Sequence, residues 1–144
     1  MRLAIREARI AAENGEVPVG AVIVKDGKVI SSGRNRRETE NNALYHAEIE
    51  AIDKACKALK SWRLTGCDLY VTLEPCPMCA GAIINARISR VIIGALDPKA
   101  GCCGSVIDMF IMPFNHEPKT IKGICADECA SLLTGFFENL RNKK

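Results

Sequence analysis

The chain has 144 residues, 48% of them hydrophobic, with 20 Lys and Arg against 17 Asp and Glu. That describes one globular domain over residues 1–144 with enough apolar content for a packed core, and no second domain, internal repeat, low-complexity stretch or linker is expected. A net charge of +3 permits a nucleic-acid partner without demanding one.

Residues 2–14 read as an amphipathic helix with Ala4, Ala8 and Ala11 inward, closed by Asn14-Gly15. Arg2, Arg6, Arg9 and Glu13 fall on its other face, a solvated stripe and not a transit peptide. No secretory apolar block follows Met1, so the 8 cysteines are expected to be reduced and the protein cytoplasmic. No apolar run is long enough to span a bilayer, so no membrane partner is expected.

Val17–Lys25 and Lys28–Gly33 are β-rich and joined by Asp26-Gly27, a strong two-residue hairpin signal. Gly33–Asn42 is a polar loop carrying Arg34, Asn35, Arg36 and Arg37. A helix is expected from about Tyr45 to Lys60, with Glu50/Lys54 and Asp53/Lys57 pairs on its exposed side. Asp68–Leu73 reads as a strand, Pro77–Asn85 as a helix and Arg90–Leu96 as a strand, an order that favours parallel neighbours and a right-handed crossover. Lys119–Ile124 supplies a fifth strand and Ala126–Leu140 the closing helix. The expectation is an α/β protein, a three-layer α/β/α sandwich whose site lies at the carboxyl edge of the sheet.

The chemistry sits in Tyr45-His46-Ala47-Glu48-Ile49 and Pro75-Cys76-Pro77-Met78-Cys79. One histidine and two cysteines suit a zinc ion that keeps its fourth tetrahedral position open. His46 and Glu48 would point about 200° apart in an ideal helix, so both serve one metal only beyond the helix end. Cys76 and Cys79 share a face, and Pro77 suits the first helical position. Two helix starts converging on one point favour thiolates. Glu48 is the proton carrier, taking a proton from a zinc-activated water and passing it to a substrate ring nitrogen and then a leaving amine. The alternatives are a structural zinc site or a redox Cys-x-x-Cys beside an unrelated His-x-Glu. His-Ala-Glu, a downstream strand and Pro-Cys-x-x-Cys together favour a hydrolytic deaminase.

Thr72-Leu73-Glu74-Pro75-Cys76-Pro77-Met78-Cys79-Ala80-Gly81-Ala82-Ile83 resembles the TadA-type tRNA-specific adenosine deaminases of the cytidine/deoxycytidylate deaminase superfamily. Glu16-Val17-Pro18-Val19-Gly20-Ala21-Val22, Asn35, Asp97-Pro98-Lys99-Ala100-Gly101, Asn115-His116 and Cys125–Ala130 extend the match from about Ala4 to Leu140. The resemblance implies a cytidine deaminase-like five-stranded mixed sheet, with Asp97–Pro113 a helical connection between two parallel strands. It implies one zinc per subunit on His46, Cys76 and Cys79, with Glu48 catalytic. It further implies a homodimer that takes a tRNA anticodon stem-loop and converts its wobble adenosine to inosine. Substrate contacts are expected at Asn35, Ala47, Pro75, Asp97, Lys99, His116 and Phe137.

Each contact also has a plainer reading. Asn35 suits a turn, Asp97-Pro98 starts one, Lys99 suits a solvated charge, His116 a packed ring and Phe137 a core residue. Arg34, Arg36, Arg37, Lys99, Lys119, Lys122, Arg141, Lys143 and Lys144 are candidate phosphate contacts. Leu44-Tyr45 and Glu138 depart from the family pattern, where smaller residues and a basic residue are usual. Cys102, Cys103, Cys125 and Cys129 are expected to be small buried hydrophobes more than a second metal site. The same chemistry also serves a small-molecule deaminase acting on guanine or a nucleoside.

Overall fold

The computed structural model describes residues 1–143, so the Lys144 expectation lies outside the described residues. Helix α1 (Arg2–Glu13) buries Ala4, Ile5, Ala8 and Ala11 and leaves Arg2, Arg6, Arg9 and Glu13 in solvent. Strands β1 (Gly20–Lys25) and β2 (Lys28–Arg34) form an antiparallel hairpin. Its turn residues Asp26 and Gly27 have φ of 51° and 74°, the paired positive values that a tight hairpin turn requires. The first strand starts at Gly20 and not at Val17. Pro18 has no N–H to pair, and the Val19 N–H turns back to the Val17 carbonyl at 2.9 Å.

Helix α2 (Ala47–Leu59), strand β3 (Cys67–Leu73), helix α3 (Pro77–Asn85) and strand β4 (Arg90–Ala95) follow, then strand β5 (Lys119–Lys122) and helix α4 (Ala126–Asn142). The five strands lie in the order β2-β1-β3-β4-β5, antiparallel from β2 to β3 and parallel from β3 to β5. Helices α2 and α3 pack side by side on one face, where Ala47, Ala51, Ala55, Ala80 and Ile83 meet Ile23, Leu69, Val71 and Ile93. Helices α1 and α4 cover the other face around Ile5, Ala95 and Cys129. A mixed sheet between two helical layers is the expected sandwich. Cys67, Cys102, Cys103 and Cys129 are buried within these apolar clusters, as small hydrophobes.

The connection from β4 to β5 departs from expectation. It is an irregular wrap with a single 3₁₀ turn at Met109–Ile111, not a helix. The cause is a carboxylate from earlier in the chain: the Asp97, Cys103 and Ser105 amides all point at Glu74 and so have no part in a helical ladder. Glu50 also differs. It pairs with Lys54 at 2.8 Å, but its side chain is only 13% exposed because it also pairs with Arg36 and accepts the Arg34 backbone N–H.

Backbone contact brings α2 to the sheet. A Cβ on Gly33 would stand 2.3 Å from the Ala47 carbonyl oxygen, so only glycine lets the first turn of α2 press onto β2.

Candidate active site

Two helix starts meet at the carboxyl end of β3. His46 is the N-cap of α2, with φ −84° and ψ 156°, so the helix begins two residues later than the apolar pattern suggests. Cys76 is the N-cap of α3, with Pro77 at its first position. The His46 side chain does not bond back to its own helix, and within α3 the Cys76 thiol meets only the other candidate ligand, Cys79, so imidazole and thiol face each other.

His46 Nδ1 stands 3.6 Å from Cys76 Sγ and 3.5 Å from Cys79 Sγ. Two such ligands sharing one tetrahedral zinc lie about 3.6 Å apart, given Zn–S near 2.3 Å and Zn–N near 2.0–2.1 Å. The three atoms lie within 4.8 Å of one another, so the donor set fits a soft-to-borderline divalent metal in both spacing and chemistry. In the protein alone, the Cys76 thiol is pulled down to about 4 by its Cys79 hydrogen bond and by His46. His46 is pushed up by its bond to Cys76, and Cys79 by its bond to Cys76 and by burial. Of the two thiols, Cys76 is therefore the one that ionises more readily.

Glu48, in the first turn of α2, is 4% exposed. Burial lifts its carboxyl to about 7, against the opposing effect of its own backbone N–H. A carboxyl in that range can both accept and release a proton near neutral pH.

The triangle and Glu48 open into a cavity of about 210 Å³. Val17, Val19, Asn35 and Arg37 form one wall, and Leu73, Glu74, Asp97 and Ala100 the other. Of the residues expected from the sequence, His46, Ala47, Glu48, Cys76, Asn35 and Asp97 line it. Asn35 also serves as the turn residue, accepting the Arg37 N–H at 3.0 Å and donating to the Val17 carbonyl at 3.2 Å. Asp97 Oδ1 accepts the Lys99 and Ala100 N–H groups, which shapes the loop, while the Lys99 side chain stays in solvent. Pro75 is buried just behind the ligands, and its carbonyl accepts the Cys102 N–H at 2.8 Å.

His116 and Phe137 are not brought to this cavity. The His116 Nε2 lies 2.6 Å from the Ile88 carbonyl oxygen at the amino end of β4, the far end of the sheet. That contact fits the packed-ring reading, because the carbonyl is left over where β4 begins. Phe137 stands 41% exposed on α4, edge-on to Phe136, and so is not the core residue of its plainer reading. Leu44 and Tyr45 are exposed on the rim and do not form the cavity wall.

Two buried carboxylates that brace the walls carry no obvious sequence signal beyond their polarity beside apolar runs. Glu16 accepts the Glu38 and Thr39 amides at 3.0 and 2.6 Å and fixes the loop that bears Arg37. Glu74 accepts the Asp97, Cys103 and Ser105 amides at 3.0, 3.0 and 3.1 Å, and the Ser105 hydroxyl besides. Gly101 is packed so closely on Glu74 that a Cβ would lie 2.3 Å from its carboxyl carbon.

A mixed sheet with a His-Cys-Cys triangle and a buried glutamate at its carboxyl edge defines a cytidine deaminase-like hydrolytic deaminase. The comparisons agree. The family model for MafB19-like deaminases matches residues 1–141. A tRNA-specific adenosine deaminase of Bacillus subtilis is 50% identical over 145 residues, covering 100% of this chain and 90% of the relative. A structure from work on A-to-I editing by tRNA:A34 deaminases at the wobble position superposes with a TM-score of 0.90 at 50% identity, covering 92% of this chain and 97% of that one. A guanine deaminase from Bacillus subtilis superposes with a TM-score of 0.65 at 37% identity, covering 98% and 90%. The chain belongs to the MafB19-like deaminases, within the group of tRNA-specific adenosine deaminases.

Proposed function

We propose that the protein converts the wobble adenosine of a tRNA anticodon loop to inosine by hydrolytic deamination, as one deaminase domain over residues 1–144. The observation that carries this is the buried Glu48 carboxyl, lifted to about 7, beside a ligand triangle spaced for zinc. The kinship with tRNA-specific adenosine deaminases along the whole chain supports the choice of substrate.

His46, Cys76 and Cys79 would hold one zinc per subunit. Bound there, the ion supplies Lewis-acid activation of the attacking water. Glu48 takes the proton released by that water and delivers it to a ring nitrogen of the adenine. It then takes the second proton, from the hydroxyl now on the carbon, and passes it to the exocyclic amine; the carbon–nitrogen bond breaks, ammonia leaves and the oxygen stays as the carbonyl. Ala47 and Asn35 shape the wall against the base, and Pro75 and Asp97 hold the opposite wall in place. Lys99 would meet a backbone phosphate; it has no carboxylate partner among the described residues, which supports that role. An unpaired loop gives up a base without breaking a duplex, which suits a cavity of about 210 Å³.

Phe137 would meet the stem, a role its exposure on α4 leaves open to it. The homodimer is supported by five large apolar residues left 42–72% exposed in one short segment, Val106, Ile107, Ile111, Met112 and Phe114. All eight cysteines are free, which suits a reducing cytoplasm. Among the described residues no helix is long and apolar enough to cross a membrane.

The likeness to a guanine deaminase favours a second reading, a free base as substrate. Zinc-loaded protein incubated with an adenosine-wobble stem-loop, and separately with guanine, adenosine and cytidine, separates the two by product mass. Inosine in the stem-loop is the expected result. Product from a free base or nucleoside alone overturns it.

A further inference from the structure

On the tRNA reading, a cavity of about 210 Å³ has room for a single base, so the nucleotides on either side of the target lie outside it. The rim residues next to His46 are Leu44 and Tyr45, 57% and 38% exposed. They are held firmly: the Tyr45 carbonyl accepts the Arg36 N–H at 3.0 Å, the Tyr45 N–H reaches the Asn42 carbonyl at 3.2 Å, and the Leu44 N–H reaches Asn42 Oδ1 at 2.9 Å. The ring is backed as well. The Arg36 guanidinium lies 5.6 Å from its centroid and is anchored by Glu50 and Glu40 at 3.4 and 3.5 Å.

The same loop sorts its arginines. Arg34 is tied to Glu7 at 3.2 Å and Arg36 to Glu50 and Glu40. Arg37 lines the cavity; its ion pair is with Glu38 at 3.8 Å, itself 72% exposed, while the buried Glu16 is near enough to feel its charge but makes no direct pair with it. A pair so loose and solvated leaves the Arg37 guanidinium available to an anion.

We propose that Tyr45, backed by Arg36 and extended by Leu44, is a stacking platform for the base next to the one in the cavity, with Arg37 on the phosphate between them. This rests on the tRNA reading above and adds to it a readout of the flanking nucleotide. A pre-stacked aromatic ring at the mouth of a one-base cavity offers a flat face to any neighbouring base, and a fixed ring loses little freedom on binding.

The test is a double-mutant cycle on kcat/KM with stem-loops carrying an abasic site on one or the other side of the target adenosine. With the unaltered protein, an abasic site on one side is expected to lower kcat/KM about tenfold or more. Tyr45→Ala is expected to lose the same factor on the intact loop and nothing further on the abasic one. Tyr45→Phe, which keeps the ring, is expected to recover the sensitivity to the abasic site. Arg37→Gln is expected to make the salt dependence of stem-loop binding shallower by about one counterion. Losses that simply add, or abasic sites on either side that change nothing, overturn the platform while leaving the tRNA reading intact. No inosine from the unaltered protein on any stem-loop overturns the tRNA reading, and the platform falls with it.

Discussion

Glu48 and Glu74 are both sealed at the carboxyl edge of one sheet, 4% and 2% exposed, and their acidities move in opposite directions. Burial drives Glu48 up to about 7, and its own backbone N–H, the His46 charge and the Cys79 contact offset only part of that rise. Burial also pushes Glu74 up, but the Ser105 hydroxyl and the Asp97, Ser105 and Cys103 amides outweigh it and hold the carboxyl below its ordinary value. Burial alone therefore does not set the role of an acid. A carboxylate already surrounded by donors is a fixed structural anion, and one left without them is available for chemistry.

Exchanging what each glutamate can do is the sharpest way to break this contrast. Glu48→Ala is expected to lower turnover by at least about 10²-fold while metal content, read by mass spectrometry of the native protein, stays at one per chain. Undiminished turnover would remove Glu48 from the reaction. Glu74→Gln should behave differently. An amide nitrogen would point a donor at the Cys103 and Ser105 amides, with an expected loss of about 2–4 kcal/mol of stability in denaturant titration. Any activity loss should follow the loosened Asp97–Ala100 wall as a raised KM more than a lowered kcat.

Acid sharpens the same comparison. In the unfolded chain the Glu74 and Glu16 carboxyls titrate near the ordinary value of about 4.3. Folded, both lie lower. For Glu16 burial pushes up, but the Thr39 hydrogen bonds, the Glu38 amide and Arg37 win. Their contribution is complete above the unfolded value and is lost as the pH falls through the depressed folded ones. Denaturant midpoints should fall more steeply below about pH 4.5 in the unaltered protein than in Glu74→Gln. Parallel curves would mean that Glu74 binds its proton alike in both states. The smallest effect is expected at His116, which lies away from both glutamates. His116→Ala should cost about 1 kcal/mol, the scale of one hydrogen bond, and leave the KM for a stem-loop unchanged.

What the sequence made legible follows the same divide. His46, Cys76 and Cys79 could be placed together because helix-start logic is local: an N-cap residue, a proline at the first position and a three-residue spacing. The Asp26-Gly27 turn and the strand-helix-strand run around the cysteines were readable for the same reason. The segment from Asp97 to Pro113 was not, because its amides are claimed by Glu74, more than twenty residues earlier in the chain. The partner of His116 was hidden likewise, since it is a carbonyl exposed only where β4 begins. Periodicity reports neighbours along the chain and is silent about a carboxylate that arrives from elsewhere.

The metal-ligand candidates His46 and Cys76 are also the N-caps of two helices packed against each other. An ion held by them acts as a rivet through the first turns of both. The start of either helix then cannot fray alone, because opening one strips a ligand from the other. Slow amide exchange over the opening residues of α2 and α3 would rise and fall as one cooperative unit with metal occupancy, while the ends of the same helices frayed on their own.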